Sequence, residues 1–211
     1  MSTEAPPPRE PLTFNAEAQH VLDMLEKTSA HLLLTGRAGT GKSTLLQHFR
    51  HTTSKKCVVL APTGAAAVSV GGQTIHSFFG FRPGITLDSV RIRSSGTSSI
   101  YKQLDVVVID EISMVRADLL DCIEKFLRLN GRLPGTPFGG IQMVFIGDLY
   151  QLPPVVPEDE QELFETVYAS PYFFDAPAYA QADVQRVELT AVYASAIPFS
   201  PSCWTRFAPA R

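Results

Sequence analysis

Four short runs stand out as almost wholly apolar: His31-Leu32-Leu33-Leu34-Thr35, Cys57-Val58-Val59-Leu60-Ala61, Val106-Val107-Val108-Ile109 and Ile141-Gln142-Met143-Val144-Phe145-Ile146. Strands covered on both faces of a parallel sheet read this way, without polar alternation. A last strand is expected over 184–189. Between the runs lie helical patterns. Asn15 can cap a helix over 16–27 whose apolar stripe is Val21, Leu22 and Leu25, and residues 44–49 continue as a helix. A short helix of small residues spans 65–70 and stops at Gly71-Gly72. Residues 117–129 put Leu119, Leu120, Ile123 and Leu127 on one face before Gly131 and Pro134, and 160–168 and 175–181 also read as helical. This alternation predicts an α/β class: a parallel, doubly wound sheet with helices on both faces and right-handed crossovers.

The first strand runs into Gly36-Arg37-Ala38-Gly39-Thr40-Gly41-Lys42-Ser43, which is G-x-x-x-x-G-K-S, and Thr44 opens the helix that follows. Strand, glycine-rich loop and helix are the context a phosphate-binding loop requires. Glycines let backbone N–H groups turn toward phosphate oxygens, and the helix adds its positive end. Lys42 would reach the β- and γ-phosphates of ATP, and the Ser43 hydroxyl would hold Mg²⁺.

The third apolar run ends in Asp110-Glu111. Asp110 would organise Mg²⁺ opposite Ser43, and Glu111 would accept a proton from the attacking water. Gln151, just past the next strand, has the position of a residue that meets the γ-phosphate and moves when it leaves. Thr63, Thr74 and His76 offer hydroxyl and imidazole donors at strand ends, although His76 alone also suits a structural histidine. Gln19 can pair with an adenine edge or simply be solvated. His20 and His31 read as surface or structural. Residues 81–103, with Arg82, Arg91, Arg93 and Lys102 among Ser and Gly, read as an exposed excursion followed by a short helix, either solvated or in contact with nucleic acid.

Composition adds bounds. In 211 residues with 45% hydrophobic content there is material for one large domain or two small ones, and the elements fit one. A net charge of −3 gives no global pull toward nucleic acid, so any such contact must be local. Cys57, Cys122 and Cys203 lack metal-ligand spacing, which with the phosphate loop points to a reducing intracellular setting: cytoplasm in a bacterium, nucleus or mitochondrion in a eukaryote. The start is polar and Pro-rich, with neither a secretory signal nor a membrane-spanning segment.

Together the blocks resemble the first RecA-like motor domain of the PIF-type DNA helicases, relatives of the RecD helicases in superfamily one. The stretches that carry the likeness lie in 35–46, 61–79, 106–115 and 145–155. Most specific are Ala-Pro-Thr-Gly-Ala-Ala-Ala-Val followed by Gly-Gly-Gln-Thr-Ile-His-Ser-Phe-Phe, and Ile-Asp-Glu-Ile-Ser-Met-Val with Gly-Asp-x-x-Gln-Leu-Pro-Pro-Val. The resemblance implies a P-loop NTPase fold and an ATP-dependent 5′-to-3′ helicase of DNA repair, recombination and telomere maintenance. It implies that Gln19 reads adenine, that Gly36, Arg37, Ala38, Gly39, Thr40, Gly41, Lys42, Ser43 and Thr44 bind ATP, and that Ser43 and Asp110 hold Mg²⁺. Lys42, Asp110, Glu111 and Gln151 would be the catalytic set. Thr63, Thr74 and His76 would contact single-stranded DNA or DNA junctions, in a protein expected to be monomeric. Phe78 fits core better than a base-stacking platform, and 81–103 occupies the place of a strand-separating insertion. The alternative is an ATP- and DNA-binding remnant without motor activity.

The likeness breaks at the end. Leu189-Thr190-Ala191-Val192-Tyr193 looks like the start of a family motif that continues Arg-Gln-x-Asp, and here Ala194 stands where that arginine would be. The expected division is a disordered tail over 1–14, the RecA-like domain over 15–193, and a disordered, non-family tail over 194–211. The expectation is that a one-nucleotide shift near Tyr193 would account for the break: codons chosen from those allowed for Ala194-Ser195-Ala196-Ile197-Pro198, read one base earlier, give Arg-Gln-Arg-Asp-Thr. The same shift turns codons for Pro201 to Phe207 into Gln-Leu-Leu-Asp-Ala-Leu, which has helical apolar spacing.

Overall fold

A computed structural model of the chain describes residues 14–93 and 99–191. The expectations for 1–13, for 94–98 and for everything from Val192 onward lie outside the described residues, the altered end and its frame included.

Among the described residues the sheet has six strands: β1 (Leu32–Thr35), β2 (Cys57–Ala61), β3 (Gln73–Thr74), β4 (Val106–Ile109), β5 (Gln142–Ile146) and β6 (Gln185–Glu188). Their order is β3-β2-β4-β5-β1-β6, and every pairing is parallel. All carboxyl ends therefore open on one edge. The helices are α1 (Ala16–Lys27), α2 (Lys42–Thr52), α3 (Gly64–Ser69), α4 (Ile75–Phe79), α5 (Ser99–Gln103), α6 (Ala117–Asn130), α7 (Glu158–Glu165) and α8 (Pro177–Ala180).

The continuous apolar runs are explained by two cores. Leu32 and Leu34, Val106 and Val108, and Val144 and Ile146 face one layer, where Val21 and Leu25 of α1 and Leu45 and Phe49 of α2 cover them. Leu33, Val107, Ile109, Met143 and Phe145 face the other, against Phe79 of α4 and Leu120, Ile123, Phe126 and Leu127 of α6. Each such side chain contributes about 1.5–3 kcal/mol when fully buried. The doubly wound α/β class read from the sequence is the one observed.

Three details differ from the sequence reading. The pattern assigned nothing to Gln73–Thr74, because a two-residue strand has no period to detect. Phe14, placed by sequence in the tail, packs its ring on His48 with centroids 4.7 Å apart. The excursion after Phe79 is less exposed than its composition suggests. Phe81, Val90 and Tyr101 are buried, and Tyr101 meets Phe126 edge-on at 4.8 Å. Arg93 donates to the Phe79 carbonyl at 2.6 Å and lies over the Phe126 ring, while Arg82, Arg91 and Lys102 are exposed. Three apolar anchors spread over some twenty residues leave no periodic trace, so the charged residues dominated the reading. Phe78 is half-buried against Phe79 and Tyr101, in keeping with a core role.

Candidate nucleotide site

β1 delivers the chain into a loop that folds around one ammonium group. Lys42 donates through Nζ to the Gly36 carbonyl and, at 3.1 Å, to the Arg37 carbonyl. The buried Thr40 hydroxyl donates to the same Arg37 oxygen at 2.8 Å. Gly36 has φ 149° and so little room that a Cβ there would lie 2.7 Å from both the Leu189 carbonyl oxygen and Thr40 Oγ1. Gly41, at φ 87°, is the left-handed residue from which α2 starts at Lys42. The unpaired amides of the first turn of α2, with Ser43 and Thr44 exposed upon it, therefore face the loop.

β4 brings in the acids. Asp110 extends the strand by donating its amide to Leu60 O at 2.8 Å, and its Oδ1 accepts the Glu111 amide at 3.0 Å. Glu111 is itself left-handed, at φ 52° and ψ 43°, a conformation that costs a non-glycine residue about 1 kcal/mol or more. The turn Ile112–Met114 that follows is closed by Met114 N donating to Glu111 O at 3.1 Å. From β5, Gly147 lies against this turn, and Asp148 follows. Asp148 Oδ1 accepts the Tyr150 amide at 3.0 Å, and its Oδ2 lies 3.4 Å from Gln151 Nε2.

These pieces converge on one cavity of about 530 Å³, within the range of small-molecule sites. Lys42, Ser43, Asp110, Glu111, Asp148 and Gln151 supply its polar lining, and Phe14, Ala18 and Leu189 supply an apolar wall. Glu17 ties that wall together by accepting from the Thr190 hydroxyl at 2.8 Å. Burial pushes the Asp110 carboxyl up, against the pull of the Glu111 amide and of Lys42. Glu111 is also raised, by burial first and then by the charges of Asp110 and Asp148. Three carboxylates share the cavity with one ammonium. This excess of anionic oxygen, beside the Ser43 hydroxyl, is a donor set that suits Mg²⁺, a hard cation bound by one or two carboxylates together with phosphate.

The remaining expected residues fall as follows. Gln19 is exposed on α1, one position past Ala18, with Nε2 3.4 Å from Asp23 Oδ1, and does not line the cavity. Arg37 is exposed at the loop tip, while Ala38, Gly39, Thr40, Gly41 and Thr44 line the cavity. Thr63 caps α3 by accepting the Ala66 amide at 3.2 Å, and Thr74 caps α4 by accepting the Ser77 amide at 3.2 Å. His76 is half-buried in the first turn of α4. These three lie at the carboxyl ends of β2 and β3, on the same sheet edge as the cavity. Sequence reasoning missed Phe14, Ala18, Leu45, Gly147 and Leu189, and gave Asp148, an acid closing a strand, no role in the site. The only available signal was that Phe14 precedes a helix cap, the place of an apolar staple.

A parallel sheet with a phosphate loop after β1 and acids after β4 and β5 defines a RecA-like P-loop NTPase. The PIF1-like helicase profile matches residues 13–179, and the chain belongs to that family. It is 37% identical over 169 residues to the ATP-dependent DNA helicase RRM3 of Saccharomyces cerevisiae, covering 76% of this chain and 23% of that protein. It is 39% identical over 151 residues to the ATP-dependent DNA helicase Pif1 of Bdellovibrio bacteriovorus, covering 68% and 34%. Among solved structures, Pif1 helicase from Bacteroides in complex with ADP-AlF3 and single-stranded DNA superposes with a TM-score of 0.79 at 35% identity, covering 89% of this chain and 44% of that one. The chain thus spans about a quarter to a third of these curated relatives. Among the described residues no helix is long and apolar enough to cross a membrane.

Proposed function

We propose that this chain is the nucleotide-binding motor domain of an ATP-dependent DNA helicase, with residues 15–193 as its functional unit. The observation that carries the reading is the meeting of Lys42, Ser43, Asp110, Glu111 and Gln151 in one cavity behind a phosphate loop. The loop amides and Lys42 bind the triphosphate. Ser43 and Asp110 hold Mg²⁺, which when bound spreads the charge of the phosphate oxygens. Glu111, whose raised proton affinity suits a base, takes the proton of the attacking water. Gln151 meets the γ-phosphate, and Asp148 orients it. The base lies against Phe14, Ala18 and Leu189, and Gln19 meets it once its side chain turns from Asp23. Thr63 and Thr74 accept hydrogen bonds as caps, so each hydroxyl proton stays available for a DNA phosphate, and His76 lies beside them. The names of the relatives, ATP-dependent DNA helicases, and the Bacteroides complex with single-stranded DNA support single-stranded DNA as partner and an intracellular setting; work in repair, recombination or telomere maintenance is part of the same proposal.

A second reading is favoured by one observation: Lys42 is the sole cationic residue among the described residues that line the cavity. Loss of a γ-phosphate arginine costs about 10³–10⁵ in rate in related phosphoryl transfer, so this chain by itself would bind ATP and DNA with little turnover. Titration with a fluorescent ATP analogue tests the common ground. Lys42→Ala is expected to weaken binding at least tenfold, on the order of one charge-assisted hydrogen bond; equal affinity for both proteins would refute the nucleotide site. DNA-stimulated turnover separates the readings. A rate close to wild-type helicases of this family, abolished by Glu111→Gln, would defeat the second.

A further inference from the structure

Arg50 sits near the end of α2, the helix that begins at Lys42 and Ser43, and reaches to the end of another helix. Its Nη1 donates to the Val70 carbonyl, and its Nη2 donates to the Gly71 carbonyl at 3.1 Å. These carbonyls close α3, at the negative end of its dipole, where a forked cation is well matched. Little else fixes α3. Of its residues only Ala67 is buried, and Val68 is 82% exposed, so apolar burial barely anchors it. Its ends do the anchoring. Thr63 caps the start, and the Gly72 amide donates to Ala67 O at 2.8 Å at the finish. Gly72 then passes so close to β2 that a Cβ would lie 2.3 Å from Val59 O. From there the chain enters β3, and Thr74 caps α4. On its inner side, Ala66 and Ser69 of α3 face Ser43, Asp110 and Glu111 across a small cavity of about 80 Å³.

We propose that Arg50 is a positioning residue that makes α3 follow α2, so that nucleotide held in the phosphate loop fixes the α3–β3–α4 segment bearing Thr63, Thr74 and His76. The inference rests on the reading that the loop binds nucleotide. α2 is a continuous helix, and a shift of its first turn is carried to Arg50 at its far end. α3 is a small unit held to β2 through Thr63 and Gly72 and to α2 through one guanidinium and the half-buried Val70. It therefore has two anchors on different parts of the site and little packing to hold it against them, the conditions under which a local ordering event is passed on.

Amide hydrogen exchange on the full chain, with and without Mg²⁺ and the non-hydrolysable analogue AMP-PNP, tests this. In the wild type, nucleotide is expected to slow exchange both in the phosphate loop and over residues 66–74, there by roughly tenfold, the scale of one charge-assisted hydrogen bond. In Arg50→Ala the loop stays protected and the slowing over 66–74 is lost. Arg50→Lys, which can still satisfy one carbonyl, restores part of it. Because the two carbonyls lie at an exposed helix end and gain water, the melting temperature of Arg50→Ala stays within about 4 °C of wild type. If Arg50→Ala does not fold, Arg50→Gln takes its place. Loop protection without any change over 66–74 in the wild type overturns the proposal, and so does a response over 66–74 that survives in Arg50→Ala. No protection of the loop itself overturns the nucleotide reading, and the proposal falls with it.

Discussion

Gly147→Ala isolates a contact that sets Glu111, the carboxylate proposed as the base. Gly147 is not among the residues of positive φ, so alanine meets no backbone penalty there, and the effect comes from the methyl alone. That methyl would lie 3.0 Å from Ile112 Cγ2, 3.2 Å from Ile112 N and 3.3 Å from Ser113 N. Ordinary contact begins near 3.4 Å, so the neighbours must yield by about 0.1–0.4 Å, and two of the three atoms are backbone of the turn that Glu111 opens. A misplacement of 1 Å at a reacting group costs about 10²-fold. A shift of a tenth to two-fifths of that distance therefore predicts a loss of about two- to sixfold in hydrolysis. Overpacking adds about 1–3 kcal/mol of destabilisation. Nucleotide affinity stays near wild type, because the atoms nearest the added methyl belong to Ile112 and Ser113 rather than to Lys42 or the phosphate loop. Single-turnover hydrolysis of γ-labelled ATP, beside an equilibrium titration of the same analogue on both proteins, reads the two quantities separately. Wild-type hydrolysis in Gly147→Ala, or a fall in affinity as large as the fall in rate, would refute this account of how Glu111 is placed.

Three further outcomes follow from particular contacts. Phe14→Ala is expected to weaken ADP binding about five- to tenfold by removing an aromatic face from the apolar wall, while leaving inorganic pyrophosphate affinity unchanged in competition titrations; equal losses for both ligands would remove Phe14 from the base site. His31 accepts the Met143 amide on Nδ1 at 3.0 Å, so the fold needs the neutral ring; burial lowers its pKa from the ordinary 6.5, with Asp183 opposing. A base depressed in the folded state contributes stability that is complete above pH 6.5 and lost as pH falls below it toward the folded value, so the urea midpoint should drop between about pH 7 and 5, and His31→Asn, which keeps an acceptor, should flatten that drop. Thr35 at the end of β1 is 4% exposed, and its hydroxyl has no hydrogen-bond partner among the described residues. Thr35→Val should therefore raise stability by about 1 kcal/mol, seen as a higher melting temperature; a fall would reveal a bound water on that hydroxyl.

The fold was legible where its signals are contiguous. An unbroken apolar run such as 106–109 has one economical explanation, burial on both faces of a parallel sheet, and the two cores bear it out. The helix over Ala16–Lys27 was legible because the Asn15 cap and the stripe of Val21, Leu22 and Leu25 lie close together in sequence. β3 was not, since its two residues pair with Leu60 and Ala61 through backbone groups that any sequence can supply. The anchoring of 81–103 was hidden for a related reason. Phe81, Val90 and Tyr101 acquire meaning only once Phe126, far along the chain, stands beside them.

The candidate site divides along the same line. Lys42, Ser43, Asp110 and Glu111 could be singled out because a motif fixes their chemistry within a few consecutive residues, and the structure brings them to one cavity with Gln151. The apolar wall could not. Phe14 stands before the first helix, Ala18 within it and Leu189 after the last strand, and only the parallel order that sets β6 beside β1 closes them on the phosphate loop. Gln19 shows the converse. A side chain of the right chemistry was legible, but on α1 its direction is decided by the helix period: Ala18, Val21, Leu22 and Leu25 take the inward face, and the residue after Ala18 points outward to Asp23. The wall of a nucleotide site belongs to tertiary structure, and the loop that grips the phosphates belongs to sequence. A reading from sequence therefore identifies the chemistry of this protein sooner than the face on which its base would rest.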